Sequence, residues 1–300
     1  LVPVVSELQE GQTNLLVVTL AAAGLLCVEQ ARPGTGGLLL AAAAHVKVLP
    51  AVIVLPLLAA GRRRAAAWML AGGVLLALLP ALWTVPRLGL FPGLARCVTL
   101  EVEFARRILG PALSSATVAG ARQFYVLNNS LPAVAHRLFG RVEATPYSAS
   151  VEGPLLFSLP PPWLMLGPVL ASAGMLVAAL LLSRRAAGDR RGRIAGAALA
   201  LVAFQIGALN FWEHHLVSMA LLVAPLAAYR MRLAVALSAP LILALTAPYL
   251  LQHAPLGGGA DLGGRWIVAS RTWGAPTAAV LVLWAGCFAV YWREPRPVRE

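Results

Sequence analysis

At 300 residues, with 59% hydrophobic and only 12% charged residues and a mean hydropathy of +0.78, the chain is too oily for a soluble domain, in which charged residues run near about 25%. A formal charge of +12 and a pI near 11.1 do not argue for nucleic acid, because Lys47 is the single Lys, the rest of the 24 basic residues are Arg, and many of these sit in short clusters between apolar runs. The three cysteines, Cys27, Cys97 and Cys287, are odd in number and far apart, which fits packing rather than a disulfide framework or a CxxC metal site.

The chain opens on Leu1 with no charged n-region, apolar h-region and cleavage site, so its natural N-terminus is expected upstream. Residues 14–28 form a short apolar segment, followed by the polar connection "EQARPGTGG" and a second apolar run over 38–60. That run holds His45, Lys47 and Pro50 in its middle. As one straight span it would put an ammonium near the bilayer centre, at about 2.5 to 3.5 kcal/mol. A hairpin of two short limbs bent at "HVKVLP" avoids this cost, and brings Arg32 and "GRRR" at residues 61–64 to one side with Lys47 on the other.

Membrane helices are then expected over 65–85, 163–183, 194–209, 216–229, 233–251 and 276–292, since about 20 apolar residues cross the hydrocarbon. The Arg-rich connections "GRRR", "RRAAGDRRGR" and "YRMR" and the tail "REPRPVRE" should be cytoplasmic. Alternation places residues 86–162, 210–215 and 252–274 outside. The long 86–162 segment carries seven Arg, but loops above about 60 residues escape the positive-inside count. Within it, "GLARCVTLEVEFARRILG" and "SLPAVAHRLFG" have the amphipathic pattern of helices lying on a membrane surface. The expected architecture is all-α: one polytopic helical membrane domain over 1–300, with 86–162 as an extracytoplasmic segment inside it.

Four polar groups interrupt the apolar pattern: "GQTN" at 11–14, Lys47, "NNS" at 128–130, and "WEHH" at 212–215. Under this topology all four face outwards. Each also has a plain reading. Thr13 or Asn14 could cap a helix, "NNS" could cap the helix "LPAVAHRLF", and "WEHH" could be an interfacial anchor. Lys47 could snorkel to an interface, but an ionisable group within the membrane is a functional hypothesis by default. A metal site at His214 and His215 does not fit, because neighbours on a helix diverge by about 100° while metal pairs use i and i+4.

The run from "GQTNLLVVTL" through "HVKVLP" and "GRRR", followed by "NNSLPAVAHRLFG" and "WEHHLVSMALLVAPL", resembles the glycosyltransferase family 87 branch of the GT-C superfamily over roughly residues 8–230. The matching positions are Gly11, Gln12 and Asn14 for Gly-Gln-x-Asn, Lys47 and Pro50 for Lys-x-x-Pro, Asn128 and Ser130 for an Asn-Gln-Ser turn, and Trp212, His214 and His215 for Trp-acid-His-His. Asn129 stands where Gln is usual, and "GALNF" replaces a Ser-Pro-rich lead-in before Trp212.

The resemblance implies a multi-pass enzyme of the bacterial inner membrane. It would transfer a hexose, mannose in the first place, from a polyprenyl-phosphate donor to an extracytoplasmic glycolipid or glycan acceptor, with inversion and no cofactor. The implied catalytic residues are His214, His215 and, as a reserve base, Glu213, because the acidic residue expected in the first external loop would precede Leu1. Gln12, Asn14, Lys47, Asn128, Ser130 and Trp212 are the implied substrate-binding residues, with Lys47 on the phosphate. The alternative is a transporter or flippase of lipid-linked sugar, which the absence of a paired half repeat in the sequence weakens.

Overall fold

A computed structural model describes residues 13–113, 128–140, 156–208, 213–252 and 273–293, all helix, turn or short connection, with no strand among them. The first helices form an antiparallel cluster of small residues. Helix α1 (Asn14–Glu29) and helix α2 (Pro33–Val46) are joined by a tight turn in which Ala31 takes a left-handed φ of 59°. Their faces meet at Gly24 and Gly36, and a Cβ on Gly36 would lie 2.7 Å from the Gly24 carbonyl oxygen, so glycine sets the closeness of the two backbones.

Helix α2 stops at Val46. Lys47 is extended (φ −150°, ψ 123°), and a 3-10 turn over Leu49–Ile53 leads into helix α3 (Val54–Ala59). Pro50 contributes to the break: it has no N–H to donate to the Val46 carbonyl four residues back, so α2 cannot run on through it, and the missing N–H costs nothing at the start of a new turn. The chain then returns. Pro33, at the start of α2, and residues 61–65, after α3, line one cavity of about 450 Å³. The run 38–60 is therefore folded back on itself at Lys47, as the bent reading requires.

Helix α4 (Arg63–Ala77) packs along α2, with Gly37 of α2 against Trp68 and Ala65. The expected single span over 65–85 is corrected here. Helix α4 ends before Pro80, and helix α5 (Ala81–Leu88) leaves at 41°. Gly89, at φ 84°, turns the chain into helix α6 (Leu90–Leu113), whose Gly93 rests on the backbone of Val85. Leu82, Trp83, Phe91 and Val98 on this pair are exposed, the surface expected of helices in contact with lipid.

Helix α7 (Leu131–Phe139) precedes helix α8 (Pro161–Arg185) and helix α9 (Arg190–Gly207), an antiparallel pair closed by small residues. A Cβ on Gly196 would meet Ser183 Oγ at 2.2 Å, and one on Gly207 would meet Ser172 Oγ at 2.1 Å. Asp189 caps α9, accepting from the backbone N–H groups of Arg191 and Gly192. After a 3-10 turn over Glu213–Met219 come helix α10 (Ala220–Gln252), broken at the non-helical Arg230, and helix α11 (Ala275–Arg293). Trp284 of α11 donates its indole N–H to the Leu199 carbonyl of α9 at 2.9 Å.

Among the described residues, two helices are long and apolar enough to cross a membrane, Pro162–Arg185 and Ala275–Arg293, or three if the bent α4–α5 pair counts as one span. Six such spans were expected. The others fall short for local reasons: α9 starts on Arg190, Arg191 and Arg193, the 216–229 stretch begins as a 3-10 turn, and the Arg230 break divides α10. The all-α membrane class stands.

A candidate site at the Lys47 end of the helices

The contacts give the helices two distinct ends. At one, the Glu29 carboxylate at the C-terminus of α1 takes a two-point contact from Arg193 at the start of α9, Nε donating to Oε1 at 2.9 Å and Nη2 to Oε2. Arg62 stands 3.8 Å from the same carboxylate. A carboxylate at a helix C-terminus opposes the helix dipole, so this one depends on its two guanidinium partners. Arg185 over the Trp292 ring lies at the same end, because α8 and α11 both run past α9.

The other end of α1 is about 24 Å away, at 1.5 Å per residue over 16 residues. There Asn14 is the first residue of α1. Its preceding Thr13 makes no side-chain cap, so the plain capping reading of "GQTN" is not what the described side chains do. Asn14 Oδ1 instead accepts a hydrogen bond from Lys47 Nζ at 2.5 Å, across 33 residues of sequence. Lys47 Nζ also lies 2.8 Å from Nε2 of His215, 168 residues further along.

Three of the four polar motifs thus meet through their described members. Asn14 and His215 are buried, at 4% and 6% exposure, and Lys47 is half-buried. An ammonium only donates, so opposite a charged Lys47 the His215 Nε2 is the acceptor.

Asn128 and Ser130 belong to a turn of their own, fully buried. Asn128 Oδ1 accepts from Ser130 N, and Ser130 Oγ accepts from Ala133 N, so Ser130 caps α7 as the plain reading of "NNS" expects. Arg137 of α7, 1% exposed, donates through Nη1 to the Asn128 carbonyl at 2.9 Å, and Thr277 Oγ1 of α11 donates to the Asn129 carbonyl at 2.7 Å. Since Thr277 starts α11 and Trp292 ends it beside Arg185, this turn lies at the Lys47 end of the helices.

Gln12 and Trp212 lie outside the described residues, and of Glu213 and His214 only the backbone is described. That backbone corrects the expected α-helical start at "WEHH", since Glu213–Met219 is a 3-10 turn, in which neighbours diverge by about 120°. Sequence reasoning passed over Arg137, Thr277, Gln205 and Ser218. The last two are buried beside His215: Ser218 Oγ is 2.5 Å from Gln205 Oε1 and 2.8 Å from the His215 carbonyl oxygen. Among the described residues no three His, Cys, Asp or Glu side chains are placed to hold a metal ion.

A half-buried ammonium flanked by an amide oxygen and an imidazole nitrogen is suited to pairing with an anionic group. No curated protein and no solved structure matches the chain. A family model described as "Glycosyltransferase family 87" matches residues 1–209, which include Asn14, Lys47, Asn128 and Ser130 and end just before the 3-10 turn that supplies His215. With 209 of 300 residues matched, the chain belongs to glycosyltransferase family 87 and is a membrane glycosyltransferase.

Proposed function

We propose that this enzyme moves a hexose, mannose in the first place, from a polyprenyl-phosphate donor to a hydroxyl of an extracytoplasmic glycolipid or glycan, inverting the anomeric carbon. The observation that carries the reading is the meeting of Asn14, Lys47 and His215 at the end of the helices opposite the Glu29–Arg193 pair. Arg62, Arg63, Arg64, Arg184, Arg185 and Arg190 gather at that opposite end, which by charge asymmetry is the cytoplasmic one. The Lys47 end then faces outwards in a multi-pass protein of the cell membrane.

In the reaction the acceptor oxygen attacks the anomeric carbon as the bond to the phosphate oxygen breaks, and the polyprenyl phosphate departs with the electron pair. Negative charge grows on that phosphate, and the Lys47 ammonium is positioned to stabilise it. His215 holds Lys47 through its ring Nε2. The acceptor proton goes to a carboxylate. Glu213 is the candidate within this chain, and His214 contacts donor or acceptor from the same turn. Gln12, Asn14, Asn128 and Ser130 offer hydrogen bonds to sugar hydroxyls, Trp212 offers an apolar ring face, and the apolar helices hold the polyprenyl tail.

The test is transfer from radiolabelled polyprenyl-phosphate mannose to a lipid acceptor by the purified protein in lipid nanodiscs. His215→Ala should lower turnover about a hundredfold or more, the range for removing a positioned acid, base or oxyanion donor. Parent turnover in both His214→Ala and His215→Ala would remove this site from the reaction. Movement of the donor across a sealed bilayer without sugar transfer would favour the flippase reading instead.

A further inference from the structure

We infer that Gln205 and Ser218 are positioning residues that hold His215 against Lys47, and so set the geometry of the phosphate site. The inference rests on the reading of Lys47 and His215 given above. Gln205 lies in the last turn of α9, 6% exposed, and Ser218 lies in the 3-10 turn over Glu213–Met219, 1% exposed. The Ser218 hydroxyl has one proton and two oxygen neighbours, Gln205 Oε1 at 2.5 Å and the His215 carbonyl at 2.8 Å. Both contacts cannot be donated by the same proton.

The conflict disappears if the Gln205 amide is turned about its terminal bond, since its oxygen and nitrogen are interchangeable by shape. Gln205 Nε2 then donates to Ser218 Oγ, and Ser218 donates to the His215 carbonyl. The two Ser218 contacts are then compatible, and a polar chain links Gln205 to Ser218 and to the His215 carbonyl, while the ring of the same His215 accepts from Lys47, which also donates to Asn14.

This chain does something a general packing contact would not. A 3-10 turn has poorer hydrogen-bond geometry than an α-helix and is seldom stable beyond a few residues, yet here it runs over seven. Helix α9 is the firmest element beside it, with an almost entirely buried second half tied to α8 and α11. Gln205 attaches the weak turn to that rigid support at the point where His215 reaches Lys47. A displacement of about 1 Å at a positioning group can cost on the order of a hundredfold in rate.

The single Lys makes the idea testable without any substrate, because selective lysine labelling with carbon-13 at the ε position yields one signal for the whole chain. In nanodiscs, Gln205→Leu and Ser218→Ala should each displace the Lys47 signal, Ser218→Thr should return it towards the parent position, and Gln205→Leu should add little on top of Ser218→Ala. In the transfer assay the same two variants should lose about tenfold or more in kcat with KM for the donor changed less than about twofold, as for groups acting in the transition state. If Ser218→Ala fails to fold, Gln205→Leu carries the comparison, since it keeps the volume of the buried side chain. A Lys47 signal at the parent position in folded Gln205→Leu would overturn the inference, as would equal, additive losses in the two variants. If the parent chain transfers no sugar, the functional reading fails, while the Lys47 signal still decides whether Gln205 and Ser218 position His215.

Discussion

Helix α1 carries a polar cluster at each end, and the two are built from different chemistry. At Glu29 a carboxylate, 4% exposed, joins two guanidinium groups; at Asn14 the described partners of the Lys47 ammonium are an amide oxygen and an imidazole nitrogen. The first is a cross-link: it ties α1 to α9 and to the start of α4, and removing one member leaves charge behind in a poorly hydrated place. The second brings together weaker, neutral acceptors that can exchange an N–H for a phosphate oxygen at small cost. One end of the helix is arranged for stability and the other for a ligand, and substitutions should separate the two.

The largest effect is expected at Lys47. Lys47→Met should reduce sugar transfer by more than about a hundredfold, because the charge that opposes the growing phosphate anion is gone. Its thermal midpoint should fall only modestly, since Lys47 is half-buried and its removal leaves no described acid unpaired. Lys47→Arg should keep part of the activity. Full activity in Lys47→Met would reduce Lys47 to a residue that merely reaches for an interface, and would dissolve the contrast between the two ends.

Glu29 should show the converse. Glu29→Gln removes the only described acid from a site holding Arg193 and Arg62, and unpairing a buried ion pair costs about 3 to 5 kcal/mol, with the lower end expected here because the Arg62 side chain is 38% exposed. Denaturant or thermal unfolding in detergent measures this. The double variant Glu29→Gln with Arg193→Met should recover part of the loss, since an apolar replacement removes the stranded charge. Turnover per folded molecule should stay close to the parent value in both. A Glu29→Gln protein as stable as the parent but unable to transfer sugar would reverse the roles assigned to the two ends.

Much of this contrast was legible in the sequence, for a physical reason. A lone Lys in an apolar run and Arg clusters between such runs are conspicuous because charge is costly in hydrocarbon, so Lys47 and the Arg-rich end could be read directly. The bend at Lys47 followed from the same cost. The partners could not be read with the same ease, since side chains 33 and 168 residues apart meet only through the packing of small residues such as Gly24 and Gly36. Gln205 and Ser218 escaped notice because one Gln and one Ser in helical apolar stretches carry no pattern. The split of 65–85 and the 3-10 turn at "EHHLVSM" were missed because hydropathy counts apolar residues without registering where the backbone breaks.

The smallest expected effect is at the buried turn beside this site, and concerns pH. His136 of α7 is half-buried and donates from Nδ1 to the Pro132 carbonyl at 2.9 Å. Burial lowers its pKa from the ordinary 6.5, and the backbone hydrogen bond offsets this in part. With the folded value below the unfolded one, the unfolded chain takes up a proton first as pH falls. The stability tied to neutral His136 is therefore complete above pH 6.5 and declines as pH drops from there towards the folded pKa. Parent protein should lose thermal midpoint between pH 7.5 and 5.5, and His136→Leu should lose less over the same interval, with the difference confined to that window. The effect should leave the Lys47 signal where it is, because α7 is capped and anchored through Ser130 and Arg137 rather than through Lys47. A Lys47 signal that moves with protonation of His136 would mean that the buried turn and the phosphate site form one coupled network at this end of the helices, and that only the Glu29 end stands apart.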